Sequence, residues 1–163
     1  MDPILDQARS GQNVLERLAG KIPGFKGYRE RELRRDADQL TREHLAGLLE
    51  ACKKPLNELS VASSRSGDLS GINDLETARK RLDKVTARMR YADRGYSGFF
   101  DAVKVDEAAL ARVYAFDLGL LNGVEAVGGA LAGPLPGVAG MIESLGALDA
   151  LLTEREAILN GFK

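Results

Sequence analysis

Few side chains in this 163-residue chain have the chemistry of a catalyst. The single histidine, His44, titrates near neutral pH, and the single cysteine, Cys52, could act as a thiolate nucleophile. His44 stands in Arg42-Glu43-His44-Leu45 at the edge of an apolar stripe and Cys52 falls on that stripe, so both read as structural residues. One Cys and one His cannot complete a zinc site within one chain. Glu43, Glu50, Glu58, Asp106, Glu107, Asp117 and Glu125 never form the Glu-x-x-His pair that di-iron bundles require. Ser97 in Gly95-Tyr96-Ser97-Gly98 lacks the nucleophile-elbow pattern, and no P-loop or dinucleotide fingerprint occurs. The expectation is no catalytic residue, no metal and no cofactor.

The pattern that could bind something is aromatic and basic. Six of the nine aromatic residues fall in two short segments: Phe25 and Tyr28, then Tyr91, Tyr96, Phe99 and Phe100. Residues 21–35 carry a local charge of +4 and residues 79–94 a local +5. Lys26 neighbours Phe25 and Tyr28, while Arg88, Arg90 and Arg94 neighbour Tyr91 and Tyr96. Guanidinium groups beside exposed rings suit anions, phosphodiesters or planar bases, through charge-assisted hydrogen bonds and stacking. The competing reading is a structural plug, with the rings folded under a bundle and the polar groups satisfied by local carbonyls and by Asp93 or Asp101. The plug is the commoner fate of aromatic connectors, and basic residues along the helix are more often paired with a neighbour's acids.

The elements that would position these residues are helical. Asp2 with Pro3 is a helix start for a segment ending before Gly20, and Lys21–Tyr28 is a connector whose Pro23, Gly24 and Gly27 forbid regular helix. From residue 29, Leu33, Ala37, Leu40, Leu45, Leu48, Leu49, Cys52, Leu56 and Leu59 form one stripe, interrupted or kinked at Pro55. After a turn at 63–68, Leu75, Ala78, Leu82, Val85 and Met89 alternate steps of three and four, the coiled-coil period. Residues 29–92 thus predict a long antiparallel hairpin, which would bring the two aromatic connectors to the same end. Asp106 caps a further helix, and Gly133-Pro134-Leu135-Pro136-Gly137 separates it from a last one. The predicted fold is all-α: about five helices in a single domain over 1–163, an elongated hairpin packed into a bundle, with an N-terminal helix at 1–20 and a helix pair at 102–163.

Composition narrows the function classes. A formal net charge of -1 excludes a uniformly basic coat, yet residues 1–100 carry +4 and residues 101–163 carry -5, so acidic C-terminal helices could pack on a basic N-terminal portion. The longest uncharged run, Ala126–Ile142, is short for a bilayer span and broken by Gly and Pro, so no transmembrane segment is expected. The acidic start lacks the order of a signal peptide, and a cytoplasmic location is the expectation.

Ile22-Pro23-Gly24-Phe25-Lys26-Gly27-Tyr28 with Arg31–Arg35, and Arg90-Tyr91-Ala92-Asp93-Arg94-Gly95-Tyr96-Ser97-Gly98-Phe99-Phe100-Asp101, resemble signatures of an uncharacterised bacterial family of small helical-hairpin proteins. The resemblance covers roughly residues 20–120; it implies a bacterial cytoplasmic protein and brings no activity with it. The functional expectation is a non-enzymatic interaction or scaffold protein, with a protein partner or a second copy meeting the hairpin's apolar stripe. The alternative is a module that binds an anionic ligand, nucleic acid or acidic lipid headgroup, through Phe25, Lys26, Tyr28, Arg88, Arg90, Tyr91, Arg94, Tyr96, Phe99 and Phe100.

Overall fold

Helices begin where a side chain or a proline relieves the unpaired N–H groups of the first turn. In a computed structural model, which describes residues 2–91, 98–132 and 137–162, helix α1 (Pro3–Lys21) starts with Pro3 at its first position and the Asp6 N–H on the Asp2 carbonyl at 3.1 Å. After the connector and a single 3-10 turn (Arg31–Leu33) come α2 (Arg34–Glu50), α3 (Lys53–Ser66) and α4 (Leu69–Tyr91). A one-turn helix α5 (Gly98–Asp101) precedes α6 (Glu107–Ala132) and α7 (Val138–Asn160). Asp68 caps α4 by accepting the Gly71 N–H at 3.0 Å, and Asp106 caps α6 by accepting the Ala109 N–H at 2.8 Å. The protein is all-α, with no strand among the described residues.

The expected first arm of the hairpin is two helices instead of one. Pro55 has no N–H to give the Ala51 carbonyl, and its ring would collide with that carbonyl in a continuous helix. The chain therefore turns at Ala51-Cys52 and restarts at Lys53, placing Pro55 in the first turn of α3, where no N–H is needed. One further boundary differs from expectation: α4 ends at Tyr91, within the hairpin span of 29–92, but Phe99 and Phe100, expected in a non-helical segment, lie in the one-turn helix α5.

The chain forms two compact units, neither of them continuous in sequence: residues 1–44, 93–120 and 151–163, and residues 45–92 with 121–150. In the first, Leu18, Ile22, Phe25, Tyr28, Phe99, Val113, Tyr114 and Leu159 are buried. In the second, α3 packs on α4 as a hairpin, and the α4 stripe Leu75, Ala78, Leu82, Val85 and Met89 is buried as its spacing predicts. Within that unit a Cβ on Gly123 would stand 2.6 Å from the Leu148 side chain, so this glycine lets α6 approach α7 closely. The polarity of the sequence also takes physical form here: Asp149 of α7 accepts Arg88 at 2.7 Å and Lys84 at 3.1 Å.

Two glycines in open space separate backbone preference from packing. Gly67 ends α3 in the left-handed region (φ 74°) and its N–H closes on the Ser63 carbonyl, while Gly47 lies in the interior of α2; a methyl on either would touch nothing within 4 Å. Gly67→Ala is expected to destabilise by about 1–2 kcal/mol. Gly47→Ala is expected to stabilise by about 0.5–1 kcal/mol. Urea denaturation of the two variants checks the opposite signs.

Candidate functional site

The connector owes its shape to Pro23, Gly24 and Gly27. Gly24 and Gly27 adopt φ of 84° and 91°, and a Cβ on Gly27 would stand 2.6 Å from the Tyr114 hydroxyl oxygen. A glycine here lets that hydroxyl reach the next residue, whose backbone N–H donates to it at 2.9 Å. Tyr28 is that residue, wholly buried, and each of its polar groups is taken by a side chain from another segment. Its carbonyl accepts Nε of Arg34 at 2.7 Å. Its hydroxyl donates to Asp117 Oδ2 and accepts Nη2 of Arg155 at 3.2 Å.

From Tyr28 a chain of alternating charges runs through the first unit. Arg155 on α7 places Nε on Asp117 Oδ1 at 2.8 Å and Nη2 on Asp38 Oδ1 at 2.7 Å. Asp38 in turn accepts Nε of Arg42, one helical turn on, at 2.9 Å. All four charged residues are at most 4% exposed, and two cations balance two anions. Burial pushes the Tyr28 hydroxyl well above the ordinary tyrosine range, and the field of Asp117 adds to the rise. Burial also raises the Asp117 carboxyl, against the opposing pull of Arg155 and the Tyr28 hydrogen bond. At Arg155 burial works against the charge, but Asp117 and Asp38 together outweigh it and hold the guanidinium protonated, well above its usual range. These contacts clamp α2, α6, α7 and the connector together.

Arg34 fixes the aromatic connectors to one another. Beyond the Tyr28 carbonyl, its Nη1 donates to the carbonyls of Phe99 at 3.1 Å and Ala102 at 2.6 Å, and its guanidinium lies over the Phe99 ring, 5.3 Å from the centroid. Tyr28 meets Phe99 edge to face at 5.5 Å and stacks on Tyr114 at 5.6 Å. The two connectors therefore do come together. Arg35 repeats the arrangement nearer the surface, over Phe100 and paired with Asp101 at 2.9 Å.

The ten residues picked out as a binding surface fall into different places. Phe25, Tyr28, Phe99 and Phe100 are buried, so their rings face the interior and not a ligand. Arg88 is partly buried against Asp149, and Arg90 pairs with Glu50 at 3.4 Å. Lys26 is exposed, and Tyr91 is 77% exposed. Arg94 and Tyr96 lie outside the described residues, as does Asp93. Cys52 is buried with its thiol pushed up by burial and donating to the Leu48 carbonyl at 3.4 Å. Among the described residues no group of three or more His, Cys, Asp or Glu is placed to hold a metal ion. No helix is long and apolar enough to cross a membrane, among those residues.

The buried charges are what the sequence reasoning missed, though a signal was present. Asp117 occupies the stripe position between Val113 and Leu121, and Arg155 the position between Leu152 and Leu159. A charge at a core position of a helix calls for an opposite charge on another core face. With this geometry in hand, comparison with known proteins finds no matching family model, no matching curated protein and no matching solved structure.

Two outcomes follow. Arg155→Met strands two buried carboxylates beside a single remaining cation and is expected to cost about 3–5 kcal/mol in chemical denaturation at pH 7. Tyr28→Phe removes the hydroxyl from the Asp117–Arg155 pair and is expected to cost about 1–3 kcal/mol. Because the folded state raises the Tyr28 pKa, the unfolded chain loses that proton first, and wild-type stability declines once the pH exceeds about 10. The phenylalanine variant lacks this contribution, so its deficit should shrink between about pH 8 and pH 11.

Proposed function

We propose that this is a non-enzymatic interaction or scaffold protein of the bacterial cytoplasm, engaging a protein partner or a second copy of itself through the α3–α4 hairpin. The observation that supports this reading is the apolar surface at the hairpin's turn. Val61 and Leu69, on either side of Gly67, are 51% and 75% exposed, whereas Leu56, Leu75, Ala78 and Leu82 further along the two arms are buried. Scattered exposed apolar residues are ordinary, and Leu48 and Tyr91 are exposed elsewhere in this unit; Val61 and Leu69 are the two that flank the α3–α4 turn, and a partner docking there would bury them. The polar interior supports the same reading, since Tyr28, Asp38, Asp117 and Arg155 are committed to one another. The anionic-ligand reading draws less support, because Arg88 and Arg90 already face Asp149 and Glu50.

Sedimentation velocity across about a hundredfold range of concentration, alone and with candidate partners, tests the proposal. Association is expected to weaken in the Val61→Glu, Leu69→Glu double variant with little change in melting temperature, as both side chains are largely in water. A chain that stays monomeric and captures no partner through this turn would sink the idea.

A further inference from the structure

The first unit also contains a cleft that the clamp does not use. It lies between α1 and α6, holds about 450 Å³, and is lined by Gln12, Leu15, Arg29, Glu107, Leu110 and Tyr114 among others. That volume is within the ordinary range for small-molecule sites, about 300–1,000 Å³. Its walls carry three kinds of chemistry. Leu15 and Leu110 are apolar. Arg29 and Glu107 form a two-pronged ion pair whose second contact, Nη2 to Oε2, is 3.0 Å; the two side chains are 68% and 45% exposed, so the pair can open without unpacking the core. Tyr114 is only 4% exposed, and its hydroxyl oxygen accepts the Tyr28 N–H while its own O–H has no acceptor among the described residues. A buried donor without an acceptor beside an open cleft is a place for a ligand's oxygen.

We infer that this cleft binds a small zwitterion with an apolar tail, an aliphatic α-amino acid, whose carboxylate pairs with Arg29 and whose ammonium pairs with Glu107. The two protein charges touch one another, so a ligand that enters between them must offer both signs side by side. An α-amino acid does so on a single carbon. A lone anion would satisfy Arg29 but leave Glu107 without its cation, and a lone amine the reverse. The Tyr114 O–H is then a donor for the second carboxylate oxygen, and the partly exposed Leu15 receives the aliphatic side chain. This site is independent of the hairpin surface, and either can fail alone.

Isothermal titration with leucine, isoleucine, valine and methionine, set beside 4-methylpentanoate and 3-methylbutylamine, decides it. At least one of the four amino acids is expected to bind, with both single-charge analogues about tenfold weaker or worse. Arg29→Gln and Glu107→Gln, each in an exposed pair, should fold normally by circular dichroism and each lower the affinity about tenfold or more. Tyr114→Phe should weaken binding less than either. The inference is overturned if none of the four amino acids binds at about 10 mM, if either analogue binds as tightly as the amino acid, or if both glutamine variants keep the wild-type affinity.

Discussion

Asp117 and Arg155 can leave water only together. Each is fully or nearly fully buried, and an unpaired charge at either position would cost several kcal/mol even after the surroundings relax. Their pairing therefore requires α6 and α7 to present one rotational setting to each other in the first unit. Asp38 adds the same requirement on α2 through the second prong of Arg155, and Tyr28 adds the connector through its hydroxyl. An apolar core of similar volume could be more stable than this network, but it would tolerate sliding of one helix along another. Charges that find partners only in one arrangement penalise every other register.

The aromatic layer depends on that clamp. Once the Tyr28 hydroxyl is held by Asp117, its ring lies between Phe25, Phe99 and Tyr114, and its backbone is presented to Arg34 and the Tyr114 hydroxyl. Arg34 then carries the constraint to α5 by gathering the carbonyls of Phe99 and Ala102. Rings and guanidinium groups that could have stacked on a nucleic acid are used to order a segment too rich in Gly and Pro to order itself. The second unit solves a simpler problem with simpler means: an apolar stripe, a glycine turn and the capping Asp68. Its contacts of Lys53 with Glu50 and Asp83 lie at the surface, where each contributes about 0–1 kcal/mol, and Arg88 with Asp149 is half-buried.

What is left for recognition follows from this division. The buried polar groups of the first unit are committed to one another, whereas the Arg29–Glu107 pair beside Tyr114 faces solvent. In the second unit the large apolar residues left exposed, among those described, are Leu48, Val61, Leu69 and Tyr91, and Val61 and Leu69 are the two that flank the hairpin turn. The proposed cleft and the proposed docking turn draw on separate residues, Arg29, Glu107 and Tyr114 for the one and Val61 and Leu69 for the other.

Much of the fold was legible in residue order, because the causes are local. Helical spacing marked the α4 stripe, Asp2-Pro3 and Asp106 marked helix starts, and Pro23, Gly24 and Gly27 marked the connector. The break before α3 was visible at Pro55, although its position, four residues earlier at Ala51, depends on which carbonyl the proline displaces. The meeting of the two aromatic connectors also followed from hairpin geometry. The clamp was harder to read: Asp117 and Arg155 stand out only as charges on apolar stripes, and nothing in their spacing names a partner 38 positions away. Whether Tyr28, Phe99 and Phe100 faced a ligand or the core could not be settled by their types, since an aromatic ring with a polar edge serves both. Local propensity and periodicity are set by neighbours a few residues apart and so belong to the sequence. Pairing between buried charges and the burial of each ring are set by segments folded together from distant positions, and only the tertiary structure decides them.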